Sequence, residues 1–347
     1  MKRIGVFTAA IVASLALGAC GSAQDPYDAQ SAGPSSGAQG ASTASGDTVT
    51  VGLTYIPNVQ FSPVYVAEAD GIYHDAGLDV TIRHHGSDEG LFTALAAGKE
   101  DVVVASGDEV LQARDQGMDL VSIGAYYRKY PVTVIVPEDS TIHSLADLKG
   151  HSIGVPGEFG SSWYGLLAGL DSAGLSASDV DVVSIGYTQQ AALTAGKVDA
   201  IVGFTNNDLV QLRQAGMHVR TVDLPEDTPL VGASLITTRT WLDAHPEQAT
   251  AVVDATVSGI SRVVADPQHA VDVTKQWDDT LSEGSALSTA RAVLDATTDL
   301  FEVDGKVSGV QDLDRWKQMG TFLTTVPGLL SHTPDVAAAV TNDHVTR

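Results

Sequence analysis

Residues 94–102 read ALAAGKEDV and residues 192–200 read ALTAGKVDA. In each copy an apolar helical end meets a Gly-Lys pair. An Asp then opens a short apolar strand, Val102–Ala105 in the first copy and Ala200–Phe204 in the second. Gly98 and Gly196 suit helix C-termini, where a left-handed residue releases the chain. Unbroken apolar strands of this kind belong to parallel sheets buried on both faces. A polar turn follows each strand, Ser106-Gly107-Asp108-Glu109 and Thr205-Asn206-Asn207-Asp208. Two α/β units of one plan predict two similar lobes.

The N-terminus is processing signal rather than fold. Lys2 and Arg3 precede the apolar run Ile4–Leu17, and Leu17-Gly18-Ala19-Cys20 closes it. The run is short for a membrane span, and its ending resembles a bacterial lipoprotein signal in which Cys20 is lipidated. Cys20 is the single cysteine of the 347 residues, and lipidation accounts for a lone thiol in an exported chain. In residues 21–47, 17 of 27 are Gly, Ser or Ala, which makes a flexible tether and no core. The chain carries a formal charge of −24, which becomes −26 once Lys2 and Arg3 are removed. A surface so acidic, with no basic aromatic patch, excludes nucleic acid as a partner.

Strands alternate with helices through most of the remainder, which predicts an α/β fold of two mostly parallel open sheets. Beyond Arg239 the pattern turns helical, with Pro246 and Pro267 at helix starts. The expected organisation is a signal peptide at 1–20, a tether at 21–47, a first lobe from 48–133 plus 233–347, and a second lobe at 134–232. Open sheets bind ligands at the carboxyl ends of their strands, so the cleft between lobes is the expected site.

Residues expected at that cleft are mainly aromatic and uncharged. Tyr55, Asn58, Phe61, Tyr126, Tyr127, Phe159, Trp163 and Tyr187 fall in loops or at helix starts, and Tyr65 and Phe204 suit packing as well as ligand contact. Five of the nine tyrosines, Tyr55, Tyr126, Tyr127, Tyr130 and Tyr187, follow predicted strands; such rings stack on a planar ligand and orient it through their hydroxyls. Ser161, Ser162, Gln189, Asn206, Asn207 and Asp108 are the expected polar contacts, with Glu109, Asp208 and Thr188 beside them. Acidic residues that open a helix also serve as caps there. The loop Gly154–Ser162 is glycine-rich but lacks the Gly-Lys-Ser/Thr of a phosphate loop. It can still offer backbone N–H groups at a helix start to an anion or a carbonyl. No metal is expected, because His84-His85 diverge on a strand and the other histidines are scattered. No Gly-x-Ser-x-Gly elbow or Cys–His pair points to an enzyme, and no cofactor is called for.

Several phrases carry a family resemblance: Pro57-Asn58 before Tyr65-Val66-Ala67, Gly71-Ile72-Tyr73 with Gly77-Leu78-Asp79-Val80, Ala97-Gly98-Lys99 with Asp101, Asp147-Leu148-Lys149-Gly150, and Gly154 through Gly157. The chain resembles solute-binding subunits of bacterial ABC importers, in the thiamine-pyrimidine-synthesis-like (NMT1/THI5-like) family. A narrower pattern is similar to the riboflavin-binding branch: Ile56-Pro57-Asn58-Val59-Gln60-Phe61 with Pro63, Ser106-Gly107-Asp108, Tyr130-Pro131-Val132, and Phe159-Gly160-Ser161-Ser162. The resemblance implies a bilobal periplasmic-binding-protein fold of type II, with an interlobe cleft and a helical C-terminal region. It implies a monomer, lipid-anchored on the extracytoplasmic face of the cell membrane, working with an ABC permease and an ATPase. The implied ligand is a planar heteroaromatic vitamin, riboflavin first and a pyrimidine precursor of thiamine as the alternative. Sulfonates and other small anions fit least, and a non-transport surface or signalling module is the remaining reading. Expressing the full chain in a bacterium with Cys20→Ala should move the protein from the membrane fraction to the soluble one. Retention in the membrane would refute the lipid anchor.

Overall fold

The computed structural model describes residues 47–86, 89–282 and 284–346. The expected signal peptide, Cys20 and residues 21–46 of the tether lie outside the described residues. Ten strands, in chain order, build two five-stranded sheets. They are β1 (Asp47–Leu53), β2 (Leu78–His84), β3 (Val102–Ser106), β4 (Leu120–Ala125), β5 (Val132–Pro137), β6 (Ser152–Val155), β7 (Asp181–Ser184), β8 (Ala200–Phe204), β9 (Val219–Asp223) and β10 (Ala233–Thr238). The first sheet has the order β2-β1-β3-β10-β4 and the second the order β7-β6-β8-β5-β9.

These orders are equivalent, strand for strand. β3 and β8, the strands introduced by the repeated phrase, are the central strands of their sheets. Each lies parallel to the strand on one side and antiparallel to the strand on the other, β10 beside β3 and β5 beside β8. The antiparallel strand of each sheet is the one with which the chain crosses over from the other sheet. β5 leaves the first sheet to enter the second, and β10 returns. The expectation of mostly parallel sheets therefore fits, with one reversed strand in each.

The repeated phrase does the same local work twice. Gly98 and Gly196 take φ of 65° and 61°, and the Lys after each donates its N–H back into the closing helical turn, Lys99 to Ala94 O at 2.9 Å and Lys197 to Ala192 O at 3.0 Å. Asp101 Oδ2 then accepts from Thr50 N of β1, and Asp199 Oδ2 from Ser152 N of β6, both at 2.8 Å. A carboxylate thus pins the start of each central strand to its parallel neighbour.

The predicted helical tail is present, with Pro246–Ala265 and Pro267–Thr274 each carrying Pro in its first turn. No helix among the described residues is long and apolar enough to cross a membrane. The long helix Pro246–Ala265 lies against the helix Ser62–Ala69 that leads out of the cleft. Their approach is close at Gly259, where an added Cβ would stand 2.2 Å from Pro63 O. Because that oxygen belongs to the backbone, it cannot step aside as a side chain would. Gly259→Ala should therefore cost about 1–3 kcal/mol through overpacking. The cost should appear as a lower urea midpoint with an unchanged slope, and an unchanged midpoint would show that the two helices can part freely.

Candidate ligand-binding site

The carboxyl ends of β1, β3, β6 and β8, together with the loops that follow β4 and β7, converge on one cavity of about 140 Å³. Its aromatic lining comes from Tyr55, Phe61, Tyr126, Tyr127, Phe159, Tyr187 and Phe204. Its polar lining includes Thr54, Gln60, Ser106, Ser161, Ser162, Gln189, Asn207 and Asp208, and it has no Lys or Arg. Both sheets contribute, as the two polar turns behind the repeated phrase predicted.

Each aromatic has a local reason for its position. Thr54 Oγ1 bonds Val104 O at 2.8 Å, which fixes the end of β1 against β3 and so sets the start of the Tyr55 loop. Tyr126 and Tyr127 both donate their N–H to Ala233 O, at 3.0 and 2.9 Å, where the outgoing crossover passes the returning one. Their hydroxyls reach Gln60, Tyr126 OH to the backbone O at 2.8 Å and Tyr127 OH to Oε1 at 3.4 Å. Phe159 packs over Gly157, where an added Cβ would meet the ring at 2.3 Å. Tyr55 and Tyr187 meet edge to face across the cleft, with centroids 4.7 Å apart and planes at 72°, an arrangement that aromatic quadrupoles favour.

Ten of the fourteen residues expected to touch ligand line the cavity: Tyr55, Phe61, Tyr126, Tyr127, Phe159, Ser161, Ser162, Tyr187, Gln189 and Asn207. The other four have structural occupations. Asn58 caps the turn Val59–Phe61 by accepting from Gln60 N at 3.0 Å. Trp163 packs among apolar side chains on the helix Gly160–Ser172. Asp108 is fully buried behind the cavity, with Oδ2 2.8 Å from the Tyr130 hydroxyl. Asn206 is also buried, and its amide donates to Gln60 Oε1 at 3.1 Å and Thr297 Oγ1 at 2.9 Å. Gln60, Thr297 and Asn206 thus form a polar latch between the lobes. Of the cavity residues outside that set of fourteen, Gln60 stands inside the Ile56–Phe61 phrase that carries the resemblance, whereas Leu91 had no signal, since one leucine carries no pattern.

The helix start at Gly160 is engaged as well. Gly160 N donates to Glu109 Oε2 at 3.2 Å, and Ser161 N to Ser106 Oγ at 3.0 Å. The N–H groups that a ligand anion would need are thus held by side chains following β3. Arg128 and Lys129, the basic pair near the crossover, line a separate groove behind it. Among the described residues, no group of three or more His, Cys, Asp or Glu converges as a metal site would.

Burial controls the charge of the site. It pushes the carboxyl groups of Asp108 and Glu109 up to about 7 and that of Asp208 up to about 6. The Tyr55 hydroxyl is raised to about 12, first by burial and then by the nearby Asp208. Such surroundings offer an anion no positive charge and suit neutral groups that donate hydrogen bonds.

The chain matches the family described as NMT1/THI5 like over residues 58–270. It belongs to that family. It is 32% identical over 352 residues to the riboflavin-binding protein RibY of Chloroflexus aurantiacus, covering 99% of each chain. It is 25% identical over 283 residues to the formylaminopyrimidine-binding protein of Halalkalibacterium halodurans, covering 80% of this chain and 84% of that one. Among solved structures, the fold is similar to that of the alkanesulfonate-binding protein SsuA from Xanthomonas axonopodis pv. citri bound to MOPS. The TM-score is 0.68 at 22% identity, over 86% of this chain and 99% of that one. The fold is thus the bilobal periplasmic-binding-protein fold.

The raised carboxyl groups have a consequence for stability. Folded Asp108 keeps its proton up to about pH 7, whereas an ordinary Asp releases it near 3.8. Between those values the folded state binds more protons than the unfolded one, so this group's contribution falls as pH rises and levels off above about 7. Asp108→Asn stays neutral and should lose that slope. The urea midpoint of the wild type should therefore decline relative to the variant between about pH 4 and about pH 7, and a constant difference would argue against a protonated Asp108.

Proposed function

We propose that the chain is an extracytoplasmic solute-binding protein of an ABC importer, held to the membrane through Cys20, that captures a planar nitrogen heterocycle. The lobes, 48–133 with 233–347 and 134–232, would close over the ligand by bending at the two crossovers between the sheets. A membrane permease would receive the ligand, and a separate ATPase would drive its passage.

The choice between a pyrimidine precursor of thiamine and riboflavin turns on the size of the cavity. At about 140 Å³, it is close to the roughly 150 Å³ of an engineered cavity that binds benzene, a single ring. Pockets for larger molecules run from about 300 to 1,000 Å³. A cavity of this size favours one ring, and a pyrimidine precursor becomes the leading ligand. Its ring amine would donate to Asp208, Asn207 or Gln189, and the ring would lie among Tyr55, Phe61, Phe159 and Tyr187. The formylaminopyrimidine-binding relative supports this choice. Riboflavin is the second reading, supported by the similarity to RibY along the whole chain.

Calorimetric titration of the purified protein with 4-amino-5-hydroxymethyl-2-methylpyrimidine and with riboflavin separates the two. The pyrimidine should bind at micromolar concentration or below, with a free energy of about −8 kcal/mol or better. Riboflavin binding accompanied by quenched flavin emission, with no pyrimidine binding, would overturn the leading choice in favour of the second.

A further inference from the structure

Three cavities meet at the Tyr55–Tyr187 pair. The first is the cleft described above. The second, of about 590 Å³, is lined by Thr188, Gln189, Gln190, Thr194, Asn207 and Gln211 together with both tyrosines. The third, of about 740 Å³, runs under Pro57, Trp277 and the segment Asp278–Leu281, again with both tyrosines. Tyr55 and Tyr187 are the two residues common to all three linings.

The cleft and the second cavity also share Gln189, Asn207 and Asp208, so they adjoin, and both tyrosines belong to the wall of each. Tyr55 follows β1 of the first sheet and Tyr187 follows β7 of the second, so each ring moves with a different lobe. Gly186, at φ 58° with open space around its α-carbon, precedes Tyr187. Gly186 itself thus holds a conformation that residues with side chains rarely adopt, immediately before the ring's residue. The other two tyrosines of the cleft lining, Tyr126 and Tyr127, are tied by hydrogen bonds to Gln60. Tyr55 and Tyr187 meet through ring edges instead, a contact that separates at little cost.

We infer that Tyr55 and Tyr187 form a movable partition that sets the size of ligand the cleft admits. With the rings together, the inner chamber holds one ring. With the rings apart, it joins the polar groove of Gln189, Gln190, Asn207 and Gln211, and a fused ring system with a hydroxylated tail can lie across both. The inference rests on the reading that the cleft takes planar heterocycles, and it makes the pair the determinant between the two ligand sizes considered above.

The test compares wild type, Tyr187→Phe and Tyr187→Ala. Calorimetric titration would use planar ligands of one, two and three rings: 4-amino-5-hydroxymethyl-2-methylpyrimidine, lumazine and lumichrome. Tyr187→Ala should shift the ratio of one-ring to three-ring affinity toward the larger ligand by about tenfold or more, while Tyr187→Phe keeps the wild-type ratio. If the alanine variant weakens all three ligands in proportion, the rings are only a stacking wall and the partition is overturned. A crystal structure of the ligand-free Tyr187→Ala variant gives a readout independent of ligand. One continuous cavity supports the partition, and chambers that remain separate refute it. If the wild type binds none of the three ligands, the heterocycle reading fails, and the crystal structure still decides the partition.

Discussion

Two aspartates in equivalent places hold the central strand of each sheet. Asp101 and Asp199 take the backbone N–H of Thr50 and Ser152, and each thereby sets where β3 or β8 begins relative to its parallel neighbour. A slip of one residue in either strand, buried on both faces, would exchange the side chains packed on the two faces. It would also carry the polar turn behind the strand away from the cleft. The site thus depends on two short hydrogen bonds at the opposite ends of its central strands.

The contact between lobes joins apolar packing, in which Tyr164, Leu167 and Ala168 share one buried cluster with Val103, Leu120 and Trp316, to a set of polar contacts. Ser106 meets Ser161, Glu109 meets the N–H of Gly160, and Gln60 meets Asn206. Hydrogen bonds exchanged with water contribute only about 0.5–1.5 kcal/mol net, so these polar pairs add little to what the shared apolar cluster contributes. Some of its groups remain unpaired: Asp108 Oδ1 and Asn206 Oδ1 are buried without a partner. Each such atom carries a desolvation cost that the rest of the fold must offset.

The same burial fixes the chemistry of the cleft. A chain with 43 acidic and 19 basic residues places no Lys or Arg in the cavity where its two sheets meet, and burial raises the nearby carboxyl groups toward their neutral form. The likeness to an alkanesulfonate-binding protein therefore extends to the fold alone.

The sequence by itself determined the two α/β units, the equivalence of β3 and β8, and the aromatic character of the site. Those features are written in local patterns: a Gly that permits a left-handed turn, an unbroken apolar strand, tyrosines just past strand ends. Only the tertiary structure decided which polar residues face the cavity. Asn206 and Asn207 are adjacent in one turn, yet Asn206 reaches Gln60 and Thr297 while Asn207 lines the cleft. Asp108 and Asp208 follow equivalent strands, yet Tyr130 stands beside Asp108 while Asp208 lines the cavity. The partners Gln60, Tyr130 and Thr297 lie 146, 22 and 91 residues away from the side chains they engage. No local pattern records such separations, because the direction a polar side chain takes in a turn is set by whichever donor or acceptor the folded chain brings within reach.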